Sequence, residues 1–417
     1  MGFPAGPQGV TEPGLDTANG WTTWAPRAEI APRFRVEPGE GRAGDGLRVI
    51  HGGGNPACLG AWRRRVEVSG GRRYRFKAHY RTQDVPHELQ SVSARLAWLD
   101  ADGERIRQPD HALKAGTEDG WATLEYAASA PSEARSVVIE ISLAWSASGT
   151  VWWDDVTLAE EAPGAERLVR AVTVHYRPRN TRSSAESVAQ FCRLAARAAQ
   201  HRPDILCLPE AITLIGTGQE LHEAGEPVPG PTTETLGALA RSLHCYLVAG
   251  ILERVGPLVY NTAVLIGRDG EVVGTYRKTH LPREEVEAGL TPGDSYPVFQ
   301  TDFGTVGLMI CWDLQFPEPA RALAGRGAEI ILLPIWGGSE VLAHARAIEN
   351  HVFLVSSTYD MRSFILDPAG AVLAEATDAD PIAVAELALD RPLHQPWIGD
   401  MRARTWKERR PDIPVEA

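Results

Sequence analysis

The chain has 417 residues, of which 43% are hydrophobic and 23% are charged, and its formal net charge at pH 7 is −12. This length favours two domains of ordinary size, and the composition is that of a folded globular protein. The negative charge, together with the absence of a long basic run, argues against a nucleic-acid partner, which requires a cationic surface.

The cysteines and the N-terminus indicate where the protein works. The five cysteines are scattered without a CxxC pair, and their odd number excludes complete pairing, which is typical of a reducing compartment and not of a metal site. The first residues, MGFPAGPQGVTEPG, lack the basic and apolar regions of a signal peptide. No apolar run reaches the roughly 18 residues of a membrane span. We therefore expect a cytoplasmic protein without a membrane partner.

Residues from about 20 to 160 predict an all-β region. Short alternating segments are separated by Gly, Asp or Pro turns roughly every ten residues, a pattern typical of a β-sandwich. The segment RRVEVSGGRRYRF predicts a hairpin, because two alternating runs flank Gly70 and Gly71. Eight of the chain's twelve tryptophans lie in this region.

After a polar linker at residues 160–166, EEAPGAE, predicted strands alternate with predicted helices. SAESVAQFCRLAARAAQHR has helical spacing with Ser183 or Ser184 as its cap, and YNTAVLIGRDGEVVGTYRK predicts a hairpin around Asp269-Gly270. Such alternation indicates an α/β domain, and the hairpins make its sheets mixed. We predict an all-β domain at residues 1–163 and an α/β domain at residues 164–417.

Three polar residues of the second domain stand where strands are predicted to end. Glu210 follows the apolar segment ILCLP, Lys278 follows the hairpin strand, and Cys311 ends the segment GTVGLMIC. Taken singly, they have ordinary interpretations as a loop carboxylate, a surface lysine and a cysteine that packs as a small hydrophobe. Because α/β sheets carry their ligand sites at strand ends, we interpret the three as one site.

The chemistry of these residues fits one task. A thiol attacks only after a base removes its proton, and the Glu210 carboxylate can act as that base. The Lys278 ammonium can stabilise an oxyanion, with the backbone N–H of Trp312 as a second donor. Trp336, at the end of the segment AEIILLPIW, either lines the pocket or packs in the core.

At this point the motifs are familiar. LPE, RKTHLP and CWDLQFPE resemble the Glu-Lys-Cys signatures of the nitrilase, or carbon–nitrogen hydrolase, superfamily, and the resemblance extends over most of residues 168–410. It implies a four-layer α-β-β-α sandwich, a homodimer or larger homo-oligomer, and catalysis without a metal or organic cofactor. It also implies a second glutamate between Lys278 and Cys311. We choose Glu285 by its distance from TPGD, with Glu287 as the alternative.

The resemblance implies hydrolysis of a non-peptide carbon–nitrogen bond in a small amide or N-carbamoyl substrate, through a thioester on Cys311. Nitrile hydrolysis is the alternative within the superfamily. Outside it, we consider acyl transfer, a non-catalytic ligand-binding protein, and a cysteine protease that uses His280.

The all-β domain ends with SGTVWWDDVTLAEE, which resembles the last strand of jelly-roll, carbohydrate-binding-like (galactose-binding-like) modules. This resemblance implies that a glycan binds through exposed aromatic rings. The other interpretation is that the tryptophans fill a core. Because alternation sends Trp152 and Trp153 to opposite faces, we expect at least one of them in the core.

Overall fold

The computed structural model of the protein describes residues 19–42, 46–162, 164–395, 398–410 and 413. The chain forms two compact units, one of Met1–Ala165 with Pro392–Ala417 and one of Glu166–Arg391. Among the described residues, no helix is long and apolar enough to cross a membrane.

The first unit is β-rich, as predicted. Its elements before residue 165 are β1 (Trp21–Trp24), β2 (Arg33–Glu37), β3 (Leu47–His51), β4 (Leu59–Glu67), β5 (Arg73–Gln83), α1 (Glu88–Ser91), β6 (Val92–Leu99), β7 (Asp110–His111), β8 (Leu113–Glu118), β9 (Trp121–Ser129), β10 (Ser136–Ala144) and β11 (Thr150–Glu161). Antiparallel pairing arranges them in a five-stranded sheet, β1-β4-β10-β6-β7, and a six-stranded sheet, β2-β3-β11-β5-β9-β8. Inward side chains of both sheets form one apolar core.

The tryptophans of this unit are mostly core residues. Five of the eight are buried: Trp21, Trp24, Trp62, Trp98 and Trp153. Trp152 is half-buried and Trp153 is buried, so one residue of this pair lies in the core, as expected. Trp145 is 58% exposed. The core interpretation therefore accounts for most of these rings.

The predicted hairpin at Gly70-Gly71 is wrong. β4 pairs with β1 and β10 of the five-stranded sheet, whereas β5 pairs with β11 and β9 of the six-stranded sheet. Gly71, at φ +77°, lies in the turn that carries the chain from one sheet to the other. Alternation and a Gly-Gly turn are equally compatible with a hairpin and with such a crossing, because neither feature specifies the partner strand.

The second unit alternates strands and helices. Its elements are β12 (Leu168–Val174), α2 (Ser184–Ala195), β13 (Ile205–Cys207), α3 (Pro231–Leu243), β14 (Tyr246–Val255), β15 (Leu258–Ile266), β16 (Val272–Arg277), α4 (Arg283–Glu287), β17 (Val298–Gln300), β18 (Thr305–Leu308), α5 (Pro317–Gly325), β19 (Ile330–Pro334), α6 (Glu340–Asn350), β20 (Phe353–Ser357), β21 (Ser363–Leu366), β22 (Val372–Ala376) and β23 (Ile382–Ala388). Ser183 caps α2, accepting a hydrogen bond from the Glu186 N–H at 3.3 Å.

Two mixed six-stranded sheets form this unit, in the orders β16-β15-β14-β13-β12-β23 and β17-β18-β19-β20-β21-β22. The central strands β12, β13 and β14 are parallel, as are β18, β19 and β20, and their uninterrupted apolar sequences suit strands covered on both faces. The predicted hairpin around Asp269-Gly270 is confirmed by the pairing of β15 with β16.

Apolar clusters show what covers these sheets. One cluster joins residues of both sheets, among them Val248 of β14 and Leu332 of β19. A second cluster joins α2 and α3 to the first sheet, with Phe191 and Leu236 fully buried. Helices α5 and α6 contact strands of the second sheet. This packing fixes the positions of the ends of the parallel strands.

The last part of the chain departs from the predicted boundary. We expected the α/β domain to reach residue 417, whereas β24 (His394–Gln395), β25 (Gly399–Asp400) and α7 (Met401–Glu408) belong to the first unit. In α7, Lys407 Nζ donates to the Val92 carbonyl at 3.2 Å. This contact joins residues 315 positions apart, and nothing in the local sequence of the C-terminal segment encodes it.

Candidate active site

Glu210 lies just beyond β13, on a segment that continues to pair with β14. The Pro209 carbonyl accepts from the Gly250 N–H at 3.0 Å, and the Gly250 carbonyl accepts from the Ile212 N–H at 2.9 Å. A Cβ on Gly250 would lie 2.6 Å from the Glu210 Cα, so only glycine permits this approach. The Glu210 residue is 3% exposed, and its carboxylate is directed into the protein.

Lys278 follows β16 and is fully buried. Its backbone N–H donates to the Asn261 carbonyl of β15 at 2.8 Å, which fixes the start of the side chain. The ammonium donates to Glu210 Oε1 at 3.0 Å and to Glu285 Oε1 at 2.5 Å. The Asn261 amide also donates to Glu210 Oε1, at 2.7 Å. One ammonium is thus held between two carboxylates.

Cys311 begins a 3₁₀-helical turn, Cys311–Gln315, shortly after β18. Its φ of +41° is rare for a residue with a side chain, and such strain is concentrated at functional sites. Glu210 and Lys278 are the charged groups that act on this thiol. Its Sγ lies 4.0 Å from the Gly337 carbonyl oxygen. The turn therefore presents the sulfur to the buried cluster.

Charge and burial tune the site together. Burial opposes the charged form of Lys278, but the carboxylates of Glu210 and Glu285 outweigh it, and the pKa of the ammonium is raised. Burial, and then the Glu210 carboxylate, raise the pKa of the Cys311 thiol despite the opposing effect of Lys278. Burial likewise raises the pKa of Glu285, with Lys278 opposing. The resting site accordingly favours a protonated thiol beside a charged lysine.

Glu285, with Glu287 as the alternative, was predicted as the second glutamate of the site. The structure places Glu285 next to Lys278. The Glu285 side chain is 13% exposed, whereas that of Glu287 is 62% exposed and pairs with Arg283 at 2.8 Å. Both lie in α4, but two residues of helix separate their directions by about 200°.

The two predicted tryptophans occupy different positions. Trp336 is half-buried, its backbone N–H donates to Glu210 Oε2 at 2.9 Å, and its ring packs on Tyr359 with centroids 5.2 Å apart. Its N–H therefore orients the carboxylate. Trp312, the second predicted oxyanion donor, has a 40% exposed residue surface.

Asp313 was not predicted from the sequence, although it joins the turn that begins at Cys311 to the loop that carries Lys278. It is fully buried and accepts hydrogen bonds from the Ile310 N–H at 3.0 Å, the Tyr276 hydroxyl at 2.7 Å and the His280 N–H at 3.1 Å. The His280 ring also lies on Asp313, at 3.1 Å, and stacks on Phe316. Its described contacts thus place His280 in a supporting role.

Asn261 and Tyr359 were also missed. The Asn261 amide bridges the two carboxylates, and the Tyr359 hydroxyl donates to the Glu210 carbonyl at 2.6 Å. A polar residue in the otherwise apolar run YNTAVLI was the available signal for Asn261. Among the described residues, no group of three or more His, Cys, Asp or Glu side chains is arranged to hold a metal ion.

Comparisons with known proteins show which family the α/β part of the chain matches. Residues 168–398 match the family model described as carbon-nitrogen hydrolase. An omega-amidase from Xenopus tropicalis is 30% identical over 234 residues, which cover 49% of this chain and 84% of the relative. A nitrilase from Pyrococcus abyssi is 34% identical over 218 residues, covering 47% and 81%.

Among solved structures, a mutant of the amidase from Nesterenkonia sp. AN1 matches with a TM-score of 0.50 and 25% identity, over 61% of this chain and 98% of the other. That structure shows covalent addition of the acetamide moiety of fluoroacetamide at the active site cysteine of the Nesterenkonia enzyme. The family match covers more than half of the chain, and the relatives and structures include an omega-amidase and an amidase. The chain therefore belongs to the carbon-nitrogen hydrolase family and is an amidohydrolase.

Proposed function

We propose that the protein hydrolyses the carbon–nitrogen bond of a small linear amide through a thioester on Cys311, with Glu210 as the base and Lys278 as the oxyanion stabiliser. The observation that carries this proposal is the buried cluster in which Lys278 bonds both Glu210 and Glu285 beside the thiol. The amidase relatives support the reaction class.

The first half-reaction forms the thioester. Glu210 takes the thiol proton as Cys311 Sγ attacks the carbonyl carbon, and the carbonyl electron pair moves to oxygen. The Lys278 ammonium, with the Trp312 N–H, stabilises that oxyanion. When the pair returns to carbon, the C–N bond breaks, and Glu210 passes its proton to the nitrogen. Ammonia or an amine leaves.

The second half-reaction reverses these roles. Glu210 takes a proton from water, whose oxygen attacks the thioester carbon, and Lys278 again faces the oxyanion. The C–S bond then breaks, Cys311 recovers its proton from Glu210, and a carboxylic acid is released. Because the pKa of the resting thiol is raised, proton transfer and attack belong to one step that begins only with substrate present.

Glu285 is proposed to position Lys278. Its carboxylate accepts a hydrogen bond from the ammonium and helps to keep the amine charged within a buried site. It also receives the Asn261 amide at 3.4 Å. Without this second anchor, the ammonium would be free to follow Glu210 as its proton state changes.

Three further parts of the proposal concern architecture. We infer a four-layer α-β-β-α order for the second unit, supported by the apolar cluster between its sheets and by the helices on each sheet.

We propose self-association, supported by Val341 and Ile348 of α6, which are 77% and 46% exposed. The jelly-roll-like, carbohydrate-binding-like character of the first unit rests on its two antiparallel sheets and common core.

Ammonia release from a substrate panel tests the function. The panel contains aliphatic amides, acid amides, N-carbamoyl amino acids and nitriles, each assayed with the wild type, Cys311→Ala and Cys192→Ala. We expect turnover of at least one amide, a loss of roughly 10⁴-fold or more in Cys311→Ala, and retention in Cys192→Ala, whose half-buried thiol lies in α2. Release from nitriles or carbamoyl compounds alone would replace the amide by that substrate class. Activity that survives in Cys311→Ala would reject the thioester mechanism.

A further inference from the structure

A cleft of about 730 Å³ lies in the first unit, lined by the outer face of the five-stranded sheet and by α7. On β4, β10 and β6 the residues that line it alternate with core residues, for example Arg63 with the fully buried Trp62 and Glu140 with Ile139. The lining is rich in charged side chains. It has no part in the amidase chemistry proposed above.

The floor of the cleft is a cross-strand ionic triad. Glu140 of β10 stands directly opposite Arg63 of β4 and Arg95 of β6 in the strand register. Its carboxylate, 9% exposed, accepts from Arg63 Nε at 2.7 Å and from Arg95 Nε at 2.9 Å. Two guanidinium groups thus share one carboxylate, which leaves the floor with an excess of one positive charge.

Lys407 of α7 adds a second cationic feature to the lining. The residue is only 7% exposed, and its ammonium donates a hydrogen bond to a backbone carbonyl, that of Val92, at 3.2 Å. Among the described residues, none of the ion pairs within 4.0 Å involves this ammonium. A buried ammonium with a single neutral acceptor is costly, and an anion brought into the cleft would relieve that cost.

The lining as a whole has a surplus of one positive charge. Its four cationic side chains are Arg63, Arg95, Arg105 and Lys407, and its carboxylates are Glu104, Glu140 and Glu408. His111, which also lines the cleft, is neutral at pH 7 because burial, with help from the surrounding cations, lowers its pKa to about 3. The cleft is therefore matched to a ligand that carries one negative charge.

We propose that this cleft binds a small carboxylate-bearing molecule, whose carboxylate is held by Lys407 of α7 above the Arg63–Glu140–Arg95 floor. A carboxylate carries one charge at neutral pH, whereas a phosphate monoester carries about −1.5 to −2 and would exceed the surplus. The site holds its ligand by charge, since the Arg63 guanidinium covers the Trp24 ring at 3.7 Å and closes it to stacking.

An exposed aromatic ring at the cleft suggests the remainder of the ligand. Trp145 lines the cleft with a 58% exposed surface, and its φ of +51° fixes the turn that presents it. A ring of hydroxylated carbons with one apolar face can cover such an indole while its carboxylate reaches inward. A sugar acid has both parts, and D-glucuronate is the probe of this class.

Calorimetric titration of the full chain tests the proposal, with D-glucuronate, D-glucose and inorganic phosphate as separate ligands. We expect saturable binding of D-glucuronate and at least about tenfold weaker binding of D-glucose, which lacks the carboxylate, because hydrogen bonds to charged groups are stronger than those between neutral groups. Equal binding of the two sugars, binding of phosphate alone, or no binding of D-glucuronate would each overturn the proposal.

Variants locate the binding. Lys407→Met should weaken D-glucuronate binding at least about tenfold, and Lys407→Arg should restore part of it. Lys77→Gln is the matched control, because Lys77 is an exposed lysine of β5 in the six-stranded sheet and pairs with Glu125. Binding that is unchanged in Lys407→Met, with folding verified by circular dichroism, would place the ligand elsewhere. Equal weakening in Lys77→Gln would show non-specific attraction.

The pH dependence gives an independent readout. Burial lowers the pKa of Lys407 to about 8, with Glu88 of α1 opposing the shift and Lys114 of β8 reinforcing it. His111 stays neutral across the neutral range. D-glucuronate affinity should therefore fall as the pH rises from 7 to 10, and this fall should be absent in Lys407→Met. A wild-type affinity that is flat over this range would contradict a charged Lys407 contact.

Discussion

The two units of this protein each contain a buried ionic cluster, and the two clusters are inverses of one another. In the catalytic unit the single ammonium of Lys278 lies between two carboxylates, whereas in the first unit the single carboxylate of Glu140 lies between two guanidinium groups. The lysine side chain is 0% exposed, but Arg63 and Arg95 are 29% and 34% exposed. One cluster is closed to water, and the other is the open floor of a cleft.

This difference separates two uses of charge. In the closed cluster the excess is negative, and burial together with the Glu210 carboxylate raises the pKa of the neighbouring Cys311 thiol and favours its protonated form. Because the site is dry, each of its charges acts strongly on the next. In the open cluster the excess is positive and accessible, so it acts on whatever enters from solvent. In the functions proposed above, the closed cluster transfers protons and the open cluster binds a ligand.

Removing the central charge of the closed cluster should have the largest effect. Lys278→Met leaves the carboxylates of Glu210 and Glu285 buried together without a counter-ion and removes the oxyanion donor. We expect kcat/KM to fall by at least roughly 10³-fold and the free energy of unfolding to fall by about 3–5 kcal/mol. Amide turnover and urea unfolding measure the two effects. An active Lys278→Met enzyme would remove the lysine from the mechanism.

The two glutamates of α4 sharpen the comparison. Glu285→Gln keeps the shape of the side chain but removes one of the two charges that hold Lys278, and we expect kcat to fall about 10²-fold with KM less affected. Glu287→Gln, two residues away and paired only with Arg283, should remain within about twofold of wild type. Equal losses in the two variants would point to α4 itself as the sensitive element.

The central charge of the open cluster can be removed in the same way. Glu140→Gln leaves Arg63 and Arg95 facing each other, and we expect a loss of about 2–4 kcal/mol in the free energy of unfolding, moderated by the partial exposure of both arginines. Burial disfavours the charged Glu140, but Arg95 and Arg63 outweigh it and lower its pKa.

The sign of the pH effect follows from that lowered pKa. Glu140 contributes stability above the ordinary glutamate pKa of about 4.3, and this contribution is lost as the pH falls through the lower folded-state value. Urea unfolding of wild type and Glu140→Gln should therefore converge at acid pH. A difference that persists undiminished at pH 3 would show that packing, and not charge, accounts for the loss. Amide turnover monitors the catalytic unit in the same samples.

The sequence alone predicted the parts of the site that local pattern encodes. Glu210, Lys278 and Cys311 each follow an apolar strand, and strand ends of α/β sheets converge at one edge. Asn261 and Asp313 were not predicted, because a single polar residue next to a strand has no local pattern that indicates its function. Their role depends on partners in other segments, such as Glu285 for Asn261 and Tyr276 for Asp313.

Strand pairing and the C-terminal segment lay further beyond sequence reasoning. The Gly70-Gly71 turn was compatible with two partner strands, and only the assembled core selects between them. No local pattern of the segment MRARTWKERRP indicates that its Lys407 contacts Val92, at the start of β6 in the first unit. The triad of Arg63, Glu140 and Arg95 likewise exists only once three strands are in register.

The smallest expected effect concerns the cation that lies above the open cluster. Because the folded-state pKa of Lys407 is about 8, below its ordinary 10.5, the unfolded chain binds this proton more tightly, and folding is opposed at lower pH. The destabilising effect of the Lys407 charge on the wild type should therefore decrease as the pH rises from about 8 to 10.5. Lys407→Met should be more stable than wild type by about 1 kcal/mol at pH 7, because the Val92 carbonyl then loses its donor and offsets part of the gain. Thermal melts at pH 7 and pH 10.5 should show this advantage disappear at the higher pH, where the wild-type amine is neutral. If the variant is less stable than wild type at pH 7, the folded protein already stabilises the Lys407 ammonium. The cleft would then gain little from a bound anion.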